Sequence, residues 1–244
     1  MRPVQKQPSP QTDPFDPYET AKNHLLGRLG SYCSYCERKI VTNLAVEHIQ
    51  PKGLPAFAHL ETDWTNFLLA CVNCNSTKGH QPVLLDDVLL PDRDNTFLAY
   101  EYTIDGRVRV TPGLAPPLAT KAQALLTLTG LDRKLNSVLD ENGKQIVVDR
   151  VSGRAEIMAI ALDQVAEIAA DPSNQGVKRS TVRMANATGG FSVWMAAFAG
   201  DADMQERLID AFAGTRASGC FGTAGHTTVS PHPNTDGLSS GGRI

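Results

Sequence analysis

Two Cys-x-x-Cys pairs, Cys33/Cys36 and Cys71/Cys74, constrain this chain more than any other feature. Four thiolates brought together close one tetrahedral zinc site. A closed site is structural, because it leaves no coordination position for a substrate. Any chemistry must then come from side chains that the metal holds in place. About 34 residues separate Cys36 from Cys71, whereas the two pairs of an ordinary zinc ribbon stand about 15–20 apart. The long insertion carries Glu47, His48, Trp64 and Asn66, which a plain binding ribbon does not need.

Cysteine usage also bears on compartment. A disulfide framework belongs to short secreted chains, and paired thiols in a long chain read as metal ligands in a reducing cytosol. The opening MRPVQKQPSPQTDPFDP is polar and holds no apolar core of a signal peptide, and no later stretch approaches a membrane span. A cytoplasmic protein with no membrane partner is expected. Cys220, alone near the C-terminus, reads as a buried structural thiol. The net charge of -3 supplies no global basic surface for autonomous nucleic-acid binding. It is compatible with a compact catalytic site, or with a partner that supplies the grip.

Along the chain, residues 1–16 contain four prolines and no periodicity and are expected as a flexible arm. Tyr18, Ala21, Leu25 and Leu29 predict a helix that stops at Gly30. Arg38–Val41 and Ala45–Ile49 read as two short strands, and a helix beginning in the second knuckle carries Asn75 and Lys78. Residues 17–95 are then a strand–strand–helix core clamped by zinc. In 96–216, FLAYEYTIDGRVRV alternates around a two-residue turn at Asp105-Gly106. Helices are expected from Pro116, from Gln145 to Ala170 after a polar break at Asn142-Gly143, around Phe191–Phe198 and around Met204–Phe212. The tail 217–244, rich in Gly, Ser, Thr and Pro, is expected to be flexible. The fold class is α+β, with a mainly helical C-terminal region after the hairpin.

Within the central stretch, His48 beside a carboxylate can serve as a neutral general base. Glu47 offers a hard oxygen suited to magnesium or manganese, and Asn75 a second, neutral one. Strand alternation sets Glu47 and His48 on opposite faces, so a twist must bring both to one site. Asn66 can bond backbone on both sides of the loop that carries His48. Singly, each has a plainer reading: Asn75 as a helix cap, Lys52, Lys78, Lys178, Arg179 and Arg183 as solvated surface.

Together, Cys33-x-x-Cys36, Glu47-His48-Ile49-Gln50-Pro51-Lys52, Asn66, and Cys71-x-x-Cys74-Asn75 with Lys78-Gly79 resemble an HNH endonuclease, the zinc-containing branch of the ββα-metal nucleases. The resemblance implies His48 as general base, Asn66 as the loop-orienting residue, Glu47 and Asn75 as ligands of a catalytic Mg2+ or Mn2+, and structural zinc on the four cysteines. Glu stands where Asp is frequent, and Asn75, ahead of His80, stands where the family has its last His. Lys52 and Lys78 are candidates for substrate phosphate. The words FLAYEYTIDGRVRV, TGLDR, FSVWMAAF and AFAGT extend the resemblance to the HNH subunit of Septu-type antiphage defence systems and related retron nucleases. That group implies an ATPase partner of the ABC/OLD-like kind and a nucleic-acid substrate, DNA or RNA.

Three other readings compete. A stand-alone restriction-type DNA endonuclease shares the site; a non-catalytic zinc ribbon does not require it. A zinc deaminase needs His-x-Glu followed by Pro-Cys-x-x-Cys; here the order is Glu47-His48, no proline precedes Cys71, and two extra cysteines are present. The division of labour has a direct test. Purified protein is expected to hold about one zinc per chain by elemental analysis. Cys33→Ser is expected to unfold the central stretch in thermal melts and His48→Ala to leave it folded; equal behaviour would refute the split.

Overall fold

The computed structural model describes residues 1–133, 138–139, 145–146 and 150–244. The break expected at Asn142-Gly143 lies outside them. The chain is α+β, with small two-stranded antiparallel sheets and a run of helices that dominates its C-terminal half.

After a short 3-10 turn at Tyr18–Ala21, α1 spans Lys22–Leu29 and ends at Gly30. Strands β1 (Ala45–His48) and β2 (Phe67–Ala70) pair antiparallel, with Ala45 opposite Ala70 and His48 opposite Phe67. Helix α2 (Val72–Lys78) follows at once, capped at its N-terminus by Cys71, whose sulfur accepts from the Cys74 amide at 3.4 Å. The strand–strand–helix unit is thus built with a different first pairing from the one the sequence suggested. Arg38–Val41 is not a strand. The Cys33–Cys36 knuckle folds back on itself, with Glu37 in the left-handed region at φ 62° and the Cys33 amide bonded to Arg38 O at 3.1 Å. Its arms meet only at the single bridge Tyr32–Lys39. The apolar run Phe67–Ala70 takes the partner's place because all four residues are buried there.

A one-turn helix α3 (Thr96–Ala99) leads into the hairpin β3 (Tyr100–Tyr102) and β4 (Val108–Val110). Its ladder closes at the Thr103 amide and Arg107 O, 3.0 Å, so the loop has three residues rather than two, with Gly106 at φ 78°. A Cβ on Gly106 would lie 2.1 Å from Val151 O, so glycine alone lets the hairpin tip rest on the start of the helix Arg150–Ala170. Helix α4 (Pro116–Thr129) starts on two prolines and ends at left-handed Gly130. Strands β5 (Val138–Leu139) and β6 (Gln145–Ile146) pair, and α5 runs from Arg150 to Ala170. The expected helix therefore starts five residues later than Gln145.

Helix α6 (Gln175–Thr188) was not anticipated. Its buried stripe uses Lys178, Thr181 and Ala185, which carry little hydrophobic signal. Lys178 pairs with Asp203 at 2.8 Å, while Arg179 and Arg183 stay exposed. Helices α7 (Phe191–Ala197) and α8 (Ala202–Ala211) complete the set. One core joins α1, the β1–β2–α2 unit, the hairpin and α4; a second joins α5–α8. The hairpin and α4 therefore pack with residues 17–95, and the boundary expected at 95/96 does not divide the cores.

Neither terminal segment is a free arm. Arg2, Val4, Lys6 and Phe15 are buried, as are Cys220, Phe221, His232 and Leu238. Composition pointed to mobility, but buried charges anchor both segments. Lys6 Nζ meets Asp92 Oδ2 at 2.9 Å, with both side chains fully buried, and also donates to Thr65 O and Phe67 O. Arg93 donates to both oxygens of Asp92, at 3.0 and 3.1 Å, and through Nη1 to Ser239 O at 3.0 Å. One carboxylate thus ties the N-terminal segment, the start of β2 and the C-terminal segment together.

Arg93 and Lys6 hold the Asp92 carboxyl below the usual carboxylate range against the opposing effect of burial. Asp92→Asn is expected to cost about 3–5 kcal/mol at neutral pH, because Lys6 is left buried without its counter-charge. A depressed native pKa stabilises above the unfolded value of about 3.9 and is lost as pH falls through the native one. The difference between wild type and Asp92→Asn in urea melts should therefore shrink below about pH 4.

Candidate active site

The four cysteines are buried and their sulfurs lie within 4.8 Å of one another. Cys36 Sγ and Cys71 Sγ are 3.7 Å apart. Zinc–sulfur bonds of about 2.3 Å put tetrahedral ligands about 3.8 Å apart, so the spacing and the all-sulfur donor set suit zinc. Both knuckles bring their metal ligands from a tight turn, the second merging directly into α2. This cluster clamps one end of the β1–β2 pair, and His48 lies at the other. Among the described residues it is the one group of three or more His, Cys, Asp or Glu that converges in this way.

His48 ends β1, opposite Phe67, and its ring meets the Phe67 ring edge-on at 5.2 Å. Tyr18, from the turn before α1, packs edge-on against the other side at 4.7 Å. Nε2 lies 2.8 Å from the backbone oxygen of Glu61. A carbonyl can only accept, so Nε2 carries the proton and Nδ1 is left as the basic nitrogen. Burial lowers the His48 pKa and so favours the neutral ring, against the hydrogen bond to the Glu61 carbonyl, which raises it.

Asn66 fixes the loop that presents this carbonyl. Its Oδ1 accepts from the Gln50 amide at 2.8 Å, and its Nδ2 donates to Gln50 O at 2.9 Å. The side chain copies a strand's hydrogen bonds and continues the β1–β2 ladder beyond His48, next to the bond from the Ile49 amide to Asn66 O.

Glu47 points the other way. Its carboxylate, 1% exposed, faces α2, pairs with Lys78 Nζ at 3.0 Å and accepts from the Tyr35 hydroxyl at 3.3 Å. Burial raises its pKa and Lys78 opposes the rise. No twist brings the carboxylate beside the His48 ring: β1 alternates regularly. Lys78 links the two residues instead, donating also to His48 O at 2.9 Å. Asn75 stands one turn before Lys78 on α2, half-buried, on the helix side that Glu47 faces.

Lys78 is 2% exposed and bonded to Glu47 and to His48 O, so in place of the expected contact with substrate phosphate it is an internal clamp. A buried lysine on a short helix looks like a surface lysine in sequence, which is why the pattern misled. Lys52 remains at the surface, paired with Glu61 and lying 4.0 Å over the Tyr18 ring. His80 is exposed beside Gly53. Sequence reasoning missed Tyr18 and Glu61. The first lies outside the motif, and the second acts through its backbone, which carries no sequence signal.

Comparison with known families fits this geometry. Residues 33–81 match the family model described as HNH endonuclease. The match covers about a fifth of the chain. No curated protein matches the chain. The HNH segment runs from the first knuckle through α2 and contains His48, Asn66, Asn75 and all four cysteines, while Tyr18 reaches its general-base candidate from outside it. No helix among the described residues is long and apolar enough to cross a membrane.

The Glu47–Lys78 pair has a measurable consequence. Lys78→Met is expected to cost about 3–5 kcal/mol, since it strands a buried carboxylate. Adding Glu47→Gln should recover most of that loss in urea melts of the zinc-loaded protein. A simple sum of the two single losses would show that the residues do not interact.

Proposed function

We propose that the protein is a metal-dependent endonuclease that hydrolyses phosphodiester bonds, with His48 as its general base. The observation that carries this reading is the His48 tautomer: Nε2–H is spent on Glu61 O, and Nδ1 remains free to accept a proton within an HNH domain. Nδ1 takes a proton from water as the oxygen attacks phosphorus in line, and the bond to the leaving ester oxygen breaks. Asn66 acts as a positioning residue by holding the Gln50 backbone that follows His48. Lys52 is exposed enough to exchange Glu61 for a substrate phosphate.

Glu47 and Asn75, a carboxylate and an amide on facing elements, are the residues that would hold magnesium or manganese. When bound, such an ion supplies charge neutralisation at the scissile phosphate. Lys78 provides the positive charge that the Glu47 carboxylate has in this structure.

The finer reading is an effector nuclease of an antiphage defence system, cytoplasmic and working with an ABC/OLD-like ATPase. It is supported by the resemblance of the hairpin and helical words to that group, and by a net charge of -3 that leaves the nucleic-acid grip to a partner. A stand-alone restriction-type endonuclease would use the same site without the partner.

Cleavage of plasmid DNA and total RNA with added manganese, alone and with any ATPase encoded beside this chain, tests the reading. Wild type is expected to cut and His48→Ala to lose at least about 100-fold in rate. Undiminished cutting by His48→Ala would overturn the assignment of the base. No wild-type cutting under any of these conditions would favour the zinc-ribbon binding module.

A further inference from the structure

The sulfur cluster has a cationic neighbour outside the HNH segment. Arg150, the first residue of α5, is buried and donates through Nη1 to Cys74 Sγ at 3.3 Å. The same guanidinium donates to Thr129 O and Gly130 O, each at 2.6 Å. These carbonyls close α4, where the helix dipole is negative. Gly130 has the left-handed φ of 59°, and a Cβ there would lie 3.1 Å from Arg150 Nη2. The cap therefore leaves room for the guanidinium. On its far side a cavity of about 60 Å³, lined by Cys36, Arg38, Arg150 and Arg154 among others, brings two more arginines towards the cluster.

Four thiolates around Zn2+ carry a net charge of about -2. Buried away from water, that charge is strongly stabilised by a charge-assisted donor to a ligand sulfur. Neutral thiols would offer the same buried guanidinium far less. Arg150 thus has its best partner only when the metal is bound. We propose that Arg150 is an outer-shell residue of the four-cysteine metal centre, and that through it metal occupancy is coupled to the docking of α5 and the helices behind it on the nuclease core.

The rival account is that Arg150 only fastens α4 to α5 through its two carbonyl bonds. Arg150→Met separates them, measured in the His48→Ala background so that the result does not depend on catalysis. Thermal melts would be compared with zinc bound and after chelation, and zinc release to a chromogenic chelator would be timed. The coupled arrangement predicts a larger melting-temperature loss in the zinc form than in the chelated form, and zinc release about 10- to 100-fold faster. It also predicts that Arg150→Lys, which keeps the charge, recovers part of the retention. Equal losses with and without metal, or unchanged release, would overturn the proposal. If Arg150→Met does not fold, limited proteolysis of the parent protein decides: new cleavage within 150–188 on chelation supports coupling, and unchanged resistance refutes it.

Discussion

Four sulfur atoms buried within 4.8 Å of one another need a cation among them if they are to be thiolates, and the rest of the strand–strand–helix unit is arranged around that requirement. Two knuckles separated by a long insertion are drawn to one point. The insertion must then leave the first knuckle, run out as β1, and return as β2 into α2. The loop at the far end, opposite the metal, is where His48, Asn66 and Glu61 O meet. A unit with two four-residue strands and one seven-residue helix has little core of its own. The elements packed around it supply that core, and a metal on the four cysteines would add a further cross-link.

Buried charge is the second organising device, and each instance joins segments distant in sequence. Asp92 holds Lys6 and Arg93, and through them both terminal segments. Glu37, turned inward by its left-handed backbone, accepts from the Arg2 amide at 2.6 Å and from the Ser192 amide and hydroxyl, each at 2.7 Å. The first knuckle is thereby fixed to α7. Gly189 makes the same approach possible from the other side, since a Cβ there would lie 2.5 Å from Glu37 O. Removing one partner of such a set leaves an unpaired charge out of water, which costs far more than the intact pair contributes.

The site divides along β1. One face carries the His48 ring between Tyr18 and Phe67, neutral and fixed in tautomer by a backbone carbonyl. The other carries Glu47 against α2, with Lys78 reaching both the carboxylate and the His48 backbone. The His48 ring is therefore set by packing, while Glu47 and Asn75 lie between strand and helix. The imidazole and the carboxylate share a strand but not a face, so each has its own environment.

What the sequence by itself determined was the local chemistry. The cysteine spacing, Glu47-His48, Asn66 and the Cys74-Asn75 junction pointed to the four-cysteine cluster and to the segment that matches the HNH model, because metal ligation and hydrogen-bonded loops demand particular residue types at particular intervals. Helices α1, α4, α7 and α8 were legible from apolar periodicity. Helix α6 was not, because its buried stripe is made of Lys178, Thr181 and Ala185. The tertiary structure alone decided that β1 pairs with Phe67–Ala70, that Lys78 is an internal clamp, that proline-rich and glycine-rich ends are fastened by Asp92, and that Tyr18 and Glu61 O frame His48. Each of these depends on a contact between residues far apart in the chain, or on a backbone atom common to every residue, and neither leaves a mark on local composition.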